Sequence, residues 1–277
     1  MTPFLPTFST NMSGFLKGNS CATALIKLTD DWRMDLDQKK EVGVVAIDLS
    51  KAFDCICHNL LLAKLKAYGL QEPALQLIRS YLQNHKQRVK CNDMCSSWLH
   101  LRCGVPQGSL LSPLLFNIFI NDMNETVTSS SLRLYADDTP QYTSDISPVI
   151  LNQYSLKQDI EKLSNWFDRN FLHCNGDKTQ AMILGKSNYN YDLEYGGTLN
   201  DVKEHLKILG VILDNKLSSK EHTNEMLKKV CAKIVALRRL KHIVPANTLL
   251  VLYRSFVLPH FEYCNSLFIE LLIRIET

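Results

Sequence analysis

The chain has 277 residues, 45% hydrophobic and 21% charged, a balance that excludes collagen-like, repeat-built or disordered sequence and allows one or two domains with a sizeable core. The net charge of +3 conceals an asymmetry: residues 1–200 hold 19 basic and 20 acidic side chains, and residues 201–277 hold 12 and 8. All the surplus positive charge therefore lies in the last quarter, which points to an acidic partner there.

In chain order, the first 20 residues are rich in Thr, Ser, Pro and Asn and read as loop. Leu25 and Leu28 stand at helical spacing within residues 21–32, where the fold begins. Residues 41–49 (EVGVVAIDL) form a β-branched run ending near Asp48, the pattern of a buried strand. Helices are expected from His58 to Tyr68, stopped by Gly69, and from Pro73 to Leu82. Segments 88–91 and 98–103 read as a hairpin, and Pro113 opens an apolar helix running towards Asp122. Segments 132–136 and 139–143 are short β-type runs that leave Asp137 and Asp138 at a hairpin turn. Leu156, Ile160, Leu163 and Phe167 predict a helix within residues 151–171. Segments 180–184 and 206–213 read as strands. After Ser218 the pattern is helical, broken at Pro245 and Pro259. The expectation is an α+β body followed by a helical subdomain from about residue 217.

The nine cysteines have no regular spacing, and neither Cys55/Cys57 nor Cys91/Cys95 is followed by a second pair at zinc-finger distance. Free thiols in a reducing compartment are expected. The longest near-apolar stretch, residues 110–120, falls short of the roughly 20 residues a membrane helix needs. No charged leader precedes an apolar run, so an intracellular chain is expected.

A carboxylate ending a buried apolar strand is costly unless it is exposed, paired or metal-bound. Asp48, Asp137 and Asp138 on adjacent strands could hold two Mg²⁺ about 4 Å apart for in-line phosphoryl transfer. On spacing alone, turn-favouring aspartates are the better reading, because adjacent aspartates are common in turns. Between Lys228 and Lys241 stand six cations (Lys228, Lys229, Lys233, Arg238, Arg239, Lys241) and no acid. Leu227, Val230, Ile234, Leu237 and Leu240 form an apolar stripe on the same helix, so the cations should face outward and suit phosphate. A merely solvated face is the other reading.

Four ordered segments resemble the blocks of reverse transcriptases of non-LTR, LINE-like retrotransposons: VVAIDLSKAFDCICHNLLLAKL (44–65), GVPQGSLLSPLLFNIFINDM (104–123), LYADDT (134–139) and LKILGVILDNKLSSKEH (206–222). NWFDRNFLHCNGDKTQAMI (165–183), SGFLKGNSCATALIKLTDDW (13–32) and LYRSFVLPHFEYC (252–264) extend the resemblance over about residues 11 to 270. It implies a right-hand polymerase fold with an antiparallel palm sheet: partial fingers over 1–40, palm over 41–216, and a truncated helical thumb over 217–277. It also implies a two-metal RNA-directed DNA polymerase with Mg²⁺ (or Mn²⁺), an RNA template, a DNA primer and dNTPs. The same resemblance implies no membrane and a nuclear or cytoplasmic location.

By position, the resemblance makes Asp48, Asp137 and Asp138 the metal-binding carboxylates, with the Leu49 carbonyl as a further oxygen. By the same resemblance Phe53 is expected to lie under the incoming sugar and exclude a 2′-hydroxyl. Gln107 and Gly108 in the 104–109 loop contact the nucleotide and template, Lys178 is a candidate general acid for pyrophosphate, and the basic helix grips the primer–template. Met12 and Leu16 replace Gln and Arg often found in such proteins, and Ser219 replaces a frequent tryptophan. The short fingers and thumb suggest a piece of a retrotransposon polyprotein. A catalytically silent remnant or co-opted nucleic-acid-binding protein is the alternative, and an RNA-templated RNA polymerase is disfavoured by Phe53.

Overall fold

The computed structural model describes residues 8–147, 156–185, 192–195 and 198–268. Helix α1 (Cys21–Asp37) starts at Ser20, whose hydroxyl accepts from the Thr23 N–H while the Thr23 hydroxyl accepts from the Ser20 N–H. This reciprocal cap satisfies two otherwise orphaned donors. Strand β1 (Glu41–Ile47) follows, then the short β2 (Leu49–Ser50) and a 3₁₀ turn over Ala52–Asp54. Helices α2 (His58–Ala67) and α3 (Glu72–Leu82) come next, with Gly69 at φ +97° ending the first and Pro73 in the first turn of the second. Left-handed backbone at Gly69 is the ordinary helix stop, since a side chain there would be strained.

Four two-residue strands then make an extended hairpin: β3 (Lys86–Gln87), β4 (Lys90–Cys91), β5 (Met94–Cys95) and β6 (Leu99–His100). The expected pairing of 88–91 with 98–103 is corrected. Lys86–Gln87 pairs with Leu99–His100, and Lys90–Cys91 pairs with Met94–Cys95. Asn92, at φ +52°, supports a tight turn that sets the inner register. Helix α4 (Ser112–Ile120) carries Pro113 in its first turn. Strands β7 (Ser131–Leu132) and β8 (Thr139–Asp145) and helix α5 (Lys157–Arg169) follow. The positions expected to open that helix, 151–155, lie outside the described residues.

Strands β9 (His173–Cys174), β10 (Gln180–Leu184), β11 (Asp192–Tyr195), β12 (Thr198–Lys203), β13 (His205–Ile208) and β14 (Val211–Asp214) complete the body. The single strand expected over 206–213 is thus a hairpin. Leu209 and Gly210, at φ +47° and +78°, turn the chain inside an otherwise unbroken apolar run. Helices α6 (Lys220–Leu240), α7 (Ala246–Phe256) and α8 (Leu258–Glu262) close the described chain. No described helix is long and apolar enough to cross a membrane, and none of the nine cysteines is joined in a disulfide.

The main sheet has the order β11-β12-β10-β1-β8-β7. Its pairs are antiparallel except β10 with β12. Strand β1 lies between β10 and β8 and is buried on both faces, which is why its sequence reads as a continuous apolar run. On one face Val45 and Ile47 join Leu61, Phe116, Phe119, Leu163 and Phe167. On the other, Val42 and Val44 join Leu25, Leu28, Trp32, Leu206 and Leu213. Met12, one of the departures from the resemblance, is itself core: it is buried and bridged to Leu134.

Candidate active site

The register of the two central strands sets the site. Ala46 pairs with Pro140 and Ile47 with Thr139, so Asp48 and Asp138 are the residues that follow and precede the last pair of the ladder, at one end of the sheet. Side chains alternate between faces at every residue. Asp48 therefore shares the face of Ala46, and Asp138 that of Pro140, at the end where both strands leave the sheet. Ala46 also pairs with Gln180 on the other flank. A cavity of about 170 Å³ opens there, lined among others by Asp48, Asp138, Lys178, Gln180, Lys207 and Ile208.

Asp137 and Asp138 form a hairpin tip, as expected. Tyr135 and Asp138 exchange both backbone hydrogen bonds, at 3.0 and 3.1 Å, leaving Ala136 and Asp137 as a two-residue turn. Ala136 holds φ +55°, a left-handed conformation costing a side-chain-bearing residue roughly 1–2 kcal/mol. The neighbouring chain fixes it: a Cβ on Gly14 would lie 2.4 Å from the Ala136 nitrogen. Ser13 donates its N–H to the Leu134 carbonyl at 2.8 Å, and buried Asn117 donates to the Gly14 carbonyl at 2.7 Å. The Cys21 thiol lies 3.3 Å from the Tyr135 hydroxyl. The clamp at Gly14 has no counterpart in the sequence pattern, because close backbone approach at a glycine leaves no periodic signal.

The site's electrostatics are unbalanced. Burial, then the carboxylates of Asp137 and Asp48, pushes Asp138 up to about 6, although part of its side chain remains open to solvent. Lys178 is the cation that answers this charge, with its ammonium 3.9 Å from the Asp48 carboxylate and its side chain largely exposed. It is carried there by the 175–179 turn: the Asn175 N–H donates to the Asp48 carbonyl at 2.8 Å, and the Thr179 hydroxyl accepts from the Asp48 N–H at 3.4 Å. Lys207 on β13 lines the same cavity. It stands within the 206–222 block, yet its own place at the site had not been singled out.

The remaining expected nucleotide contacts gather on the 3₁₀ turn after Asp48. Phe53 stacks on Phe116 with ring centroids 4.3 Å apart and meets the Phe15 edge at 6.3 Å. The loop carrying Gln107 and Gly108 is clamped onto this turn. Val105 donates its N–H to the Phe53 carbonyl at 3.0 Å, and Gln107 donates to the Asp54 carboxylate at 2.9 Å. His58 Nε2 lies 2.7 Å from the Gly104 carbonyl. Gly104 sits at φ +85°, with space for a Cβ blocked by the Asp54 carbonyl at 2.8 Å, so only glycine fits. Gly108, at φ +81°, is open to solvent. Leu49 is buried and pairs with Cys174 in the β2–β9 ladder.

Among the described residues, no three His, Cys, Asp or Glu side chains converge as a ready-made metal cage. What the strand ends supply is a concentration of negative charge, the donor chemistry a hard divalent cation takes.

The basic helix departs partly from expectation. Lys228, Arg238, Arg239 and Lys241 are exposed. Lys229 is exposed but ion-paired to Glu225 at 2.7 Å. Lys233 turns inward, 2.5 Å from His260 Nε2 on α8, which corrects its outward placement. Of the apolar stripe only Val230 is fully buried, and Leu227 is exposed.

Residues 1–213 match the family described as reverse transcriptase (RNA-dependent DNA polymerase). The chain is 28% identical over 236 residues to the probable RNA-directed DNA polymerase from transposon BS of Drosophila melanogaster, covering 81% of this chain and 26% of that protein. It is 27% identical over 248 residues to the RNA-directed DNA polymerase from mobile element jockey of the same fly, covering 84% and 26%. It thus spans about a quarter of the length of these curated relatives. Its fold is similar to a structure of telomerase from Candida tropicalis in complex with a fragment of telomeric RNA (TM-score 0.54, 14% identity, covering 93% of this chain and 43% of that one). The sheet with two carboxylates gathered at its strand ends, flanked by helices and followed by a helical region, is the right-hand polymerase fold, and the chain belongs to the reverse transcriptase family.

Proposed function

We propose that this chain is the polymerase unit of a LINE-like retrotransposon reverse transcriptase, adding dNTPs to a primer 3′-hydroxyl on an RNA template. The observation that carries the reading is that Asp48 and Asp138, at the end of the β1–β8 ladder, line one cavity, with Asp137 at the adjoining tip. Asp48, Asp137 and Asp138 would hold two Mg²⁺, with the Leu49 carbonyl as a further oxygen and Mn²⁺ as a substitute. Burial first, and then the carboxylates of Asp137 and Asp48, lift Asp138, and a divalent cation would relieve the part that comes from charge. Bound there, the metal supplies an activated 3′-hydroxyl and neutralises the leaving pyrophosphate.

The chain's own residues do the rest. Asp48 and Asp138 fix the position of the reacting end through the rigid ladder. Phe53, held by Phe116, presents its ring edge where a ribose 2′-hydroxyl would project. Gln107 and Gly108 offer an amide and an open backbone to the nucleotide and the template base. Lys178, tethered near Asp48, serves as a mobile cation for the pyrophosphate. Residues 1–40, 41–216 and 217–277 correspond to partial fingers, palm and thumb. The exposed cations of α6 neutralise duplex phosphates without reading sequence.

The intact carboxylates favour this reading over a silent remnant or pure nucleic-acid binder. Primer extension on an RNA template tests it: the chain extends with Mg²⁺ and Asp137→Ala does not, while both bind the duplex. Duplex binding without any metal-dependent extension by the unaltered chain would establish the binder instead. Phe53→Ala should raise ribonucleotide incorporation, and unchanged discrimination excludes the gate.

A further inference from the structure

The 86–103 segment has no part in the site described above, yet every one of its residues is exposed. Two-stranded hairpins are marginal in water on their own, and this one also presents Trp98, 56% exposed, and Met94, 77% exposed. Its base is nevertheless held firmly. Leu101 donates its N–H to the His85 carbonyl at 2.9 Å, and His85 Nε2 lies 2.7 Å from the Tyr81 carbonyl. Tyr81 in turn bonds the Ser109 hydroxyl at 2.5 Å. Four residues past the hairpin's last strand, Gly104 is locked to the turn that follows Asp48.

The two faces of the hairpin differ in chemistry. Lys86 pairs with His100, and Gln87 with Leu99, so Arg88 stands opposite Trp98 on the face of Lys86 and His100. The Arg88 guanidinium lies 4.6 Å from the Trp98 ring centroid, and Lys90 follows two residues on. The opposite face carries Val89, Leu99 and Leu101. Segment 86–102 has four Lys/Arg and one acid, Asp93. None of the four forms an ion pair among the described residues.

We propose that the Lys86–Arg88–Trp98 face is a binding platform for single-stranded nucleic acid, taking the unpaired template as it approaches the 104–109 loop. Trp98 offers a stacking plane for a base, Arg88 stacks and neutralises, and Lys86 and Lys90 meet the backbone phosphates. The aliphatic face lacks this charge, and an acid-poor cationic face with an open indole matches a polyanion better than an apolar protein surface. The inference rests on the template-reading role proposed above.

Binding of a fluorescent oligo(U) 20-mer to the 277-residue chain, without metal or nucleotide, tests it. Trp98→Ala should weaken binding about tenfold by removing one stacked base. Arg88→Ala and Lys90→Ala should each lower the salt dependence by about 0.7 in log–log slope. Leu99→Ala on the other face should bind as the unaltered chain does. Unchanged affinity in Trp98→Ala and Arg88→Ala overturns the proposal, as does loss of a concentration-dependent dimer in those variants with oligo(U) binding intact, which would make the face a protein interface. Asp137→Ala should bind oligo(U) normally. Trp98-dependent binding without polymerase activity would therefore overturn the catalytic reading alone, and activity without Trp98 dependence would overturn the platform alone.

Discussion

The body and the C-terminal helices are built on different terms. Strand β1 is enclosed on both faces, and Trp32, Phe116, Phe119 and Phe167 are all fully buried. By contrast α6 buries only Val230, and α7 and α8 bury nothing completely, while Val251 and Phe256 stand open at 61% and 56% exposure. The body's positions are thus over-determined by packing, and its carboxylates inherit that rigidity. The helices present apolar and cationic surface, which suits a region whose geometry is completed by what it binds.

Substitutions sharpen the contrast in order of expected size. Phe116→Ala removes a fully buried ring and the support of Phe53, and should cost about 3–5 kcal/mol in chemical denaturation; a loss below 1 kcal/mol would mean the body is not tightly packed. Asp159→Asn should cost about 2 kcal/mol at neutral pH. The Asp159 side chain is fully buried, and burial alone would raise its pKa. Its hydrogen bonds from Lys162, the Ser129 N–H, the Ser130 hydroxyl and the Thr128 N–H outweigh that and hold it below the ordinary carboxylate value. The stability this carboxylate contributes is therefore present above the unfolded-state value and is lost as pH falls through the lower folded value. The gap between the two proteins should close in acid, and a gap independent of pH would deny the charge its role. Val251→Ala, on exposed α7, should change stability by no more than about 0.5 kcal/mol. A large loss there would show the helical region to be as packed as the body.

The same contrast explains what was legible in the sequence. Asp48 and the Asp137–Asp138 tip could be placed because a charge ending a buried run and a turn between two short strands are local signals, and the ladder then brings them to one end of the sheet. Pairing partners were less visible. The hairpin expected between 88–91 and 98–103 is instead two nested pairs, since Asn92 sets an inner turn for Lys90–Cys91 with Met94–Cys95 and the outer pairing joins Lys86–Gln87 to Leu99–His100. The run from Leu206 to Leu213 hid the turn at Leu209–Gly210, because apolar residues continue through it. Strands β11 and β12 (DLEY and TLNDVK) are too polar to show period-two patterning. Gly14 and Lys207 reach the site only through tertiary contact. On α6 the apolar stripe was read correctly as a pattern, but burial of a stripe depends on a neighbour that periodicity does not reveal.

Asp48, Asp137 and Asp138 are proposed to act as one cation-binding unit at the strand ends. Mn²⁺ titration followed by electron paramagnetic resonance tests it most directly, on the chain bound to a dideoxy-terminated primer–template with the complementary dNTP. Two bound ions are predicted for the unaltered chain and at most one for Asp137→Ala or Asp48→Asn. Equal stoichiometry and affinity in all three proteins would contradict the account.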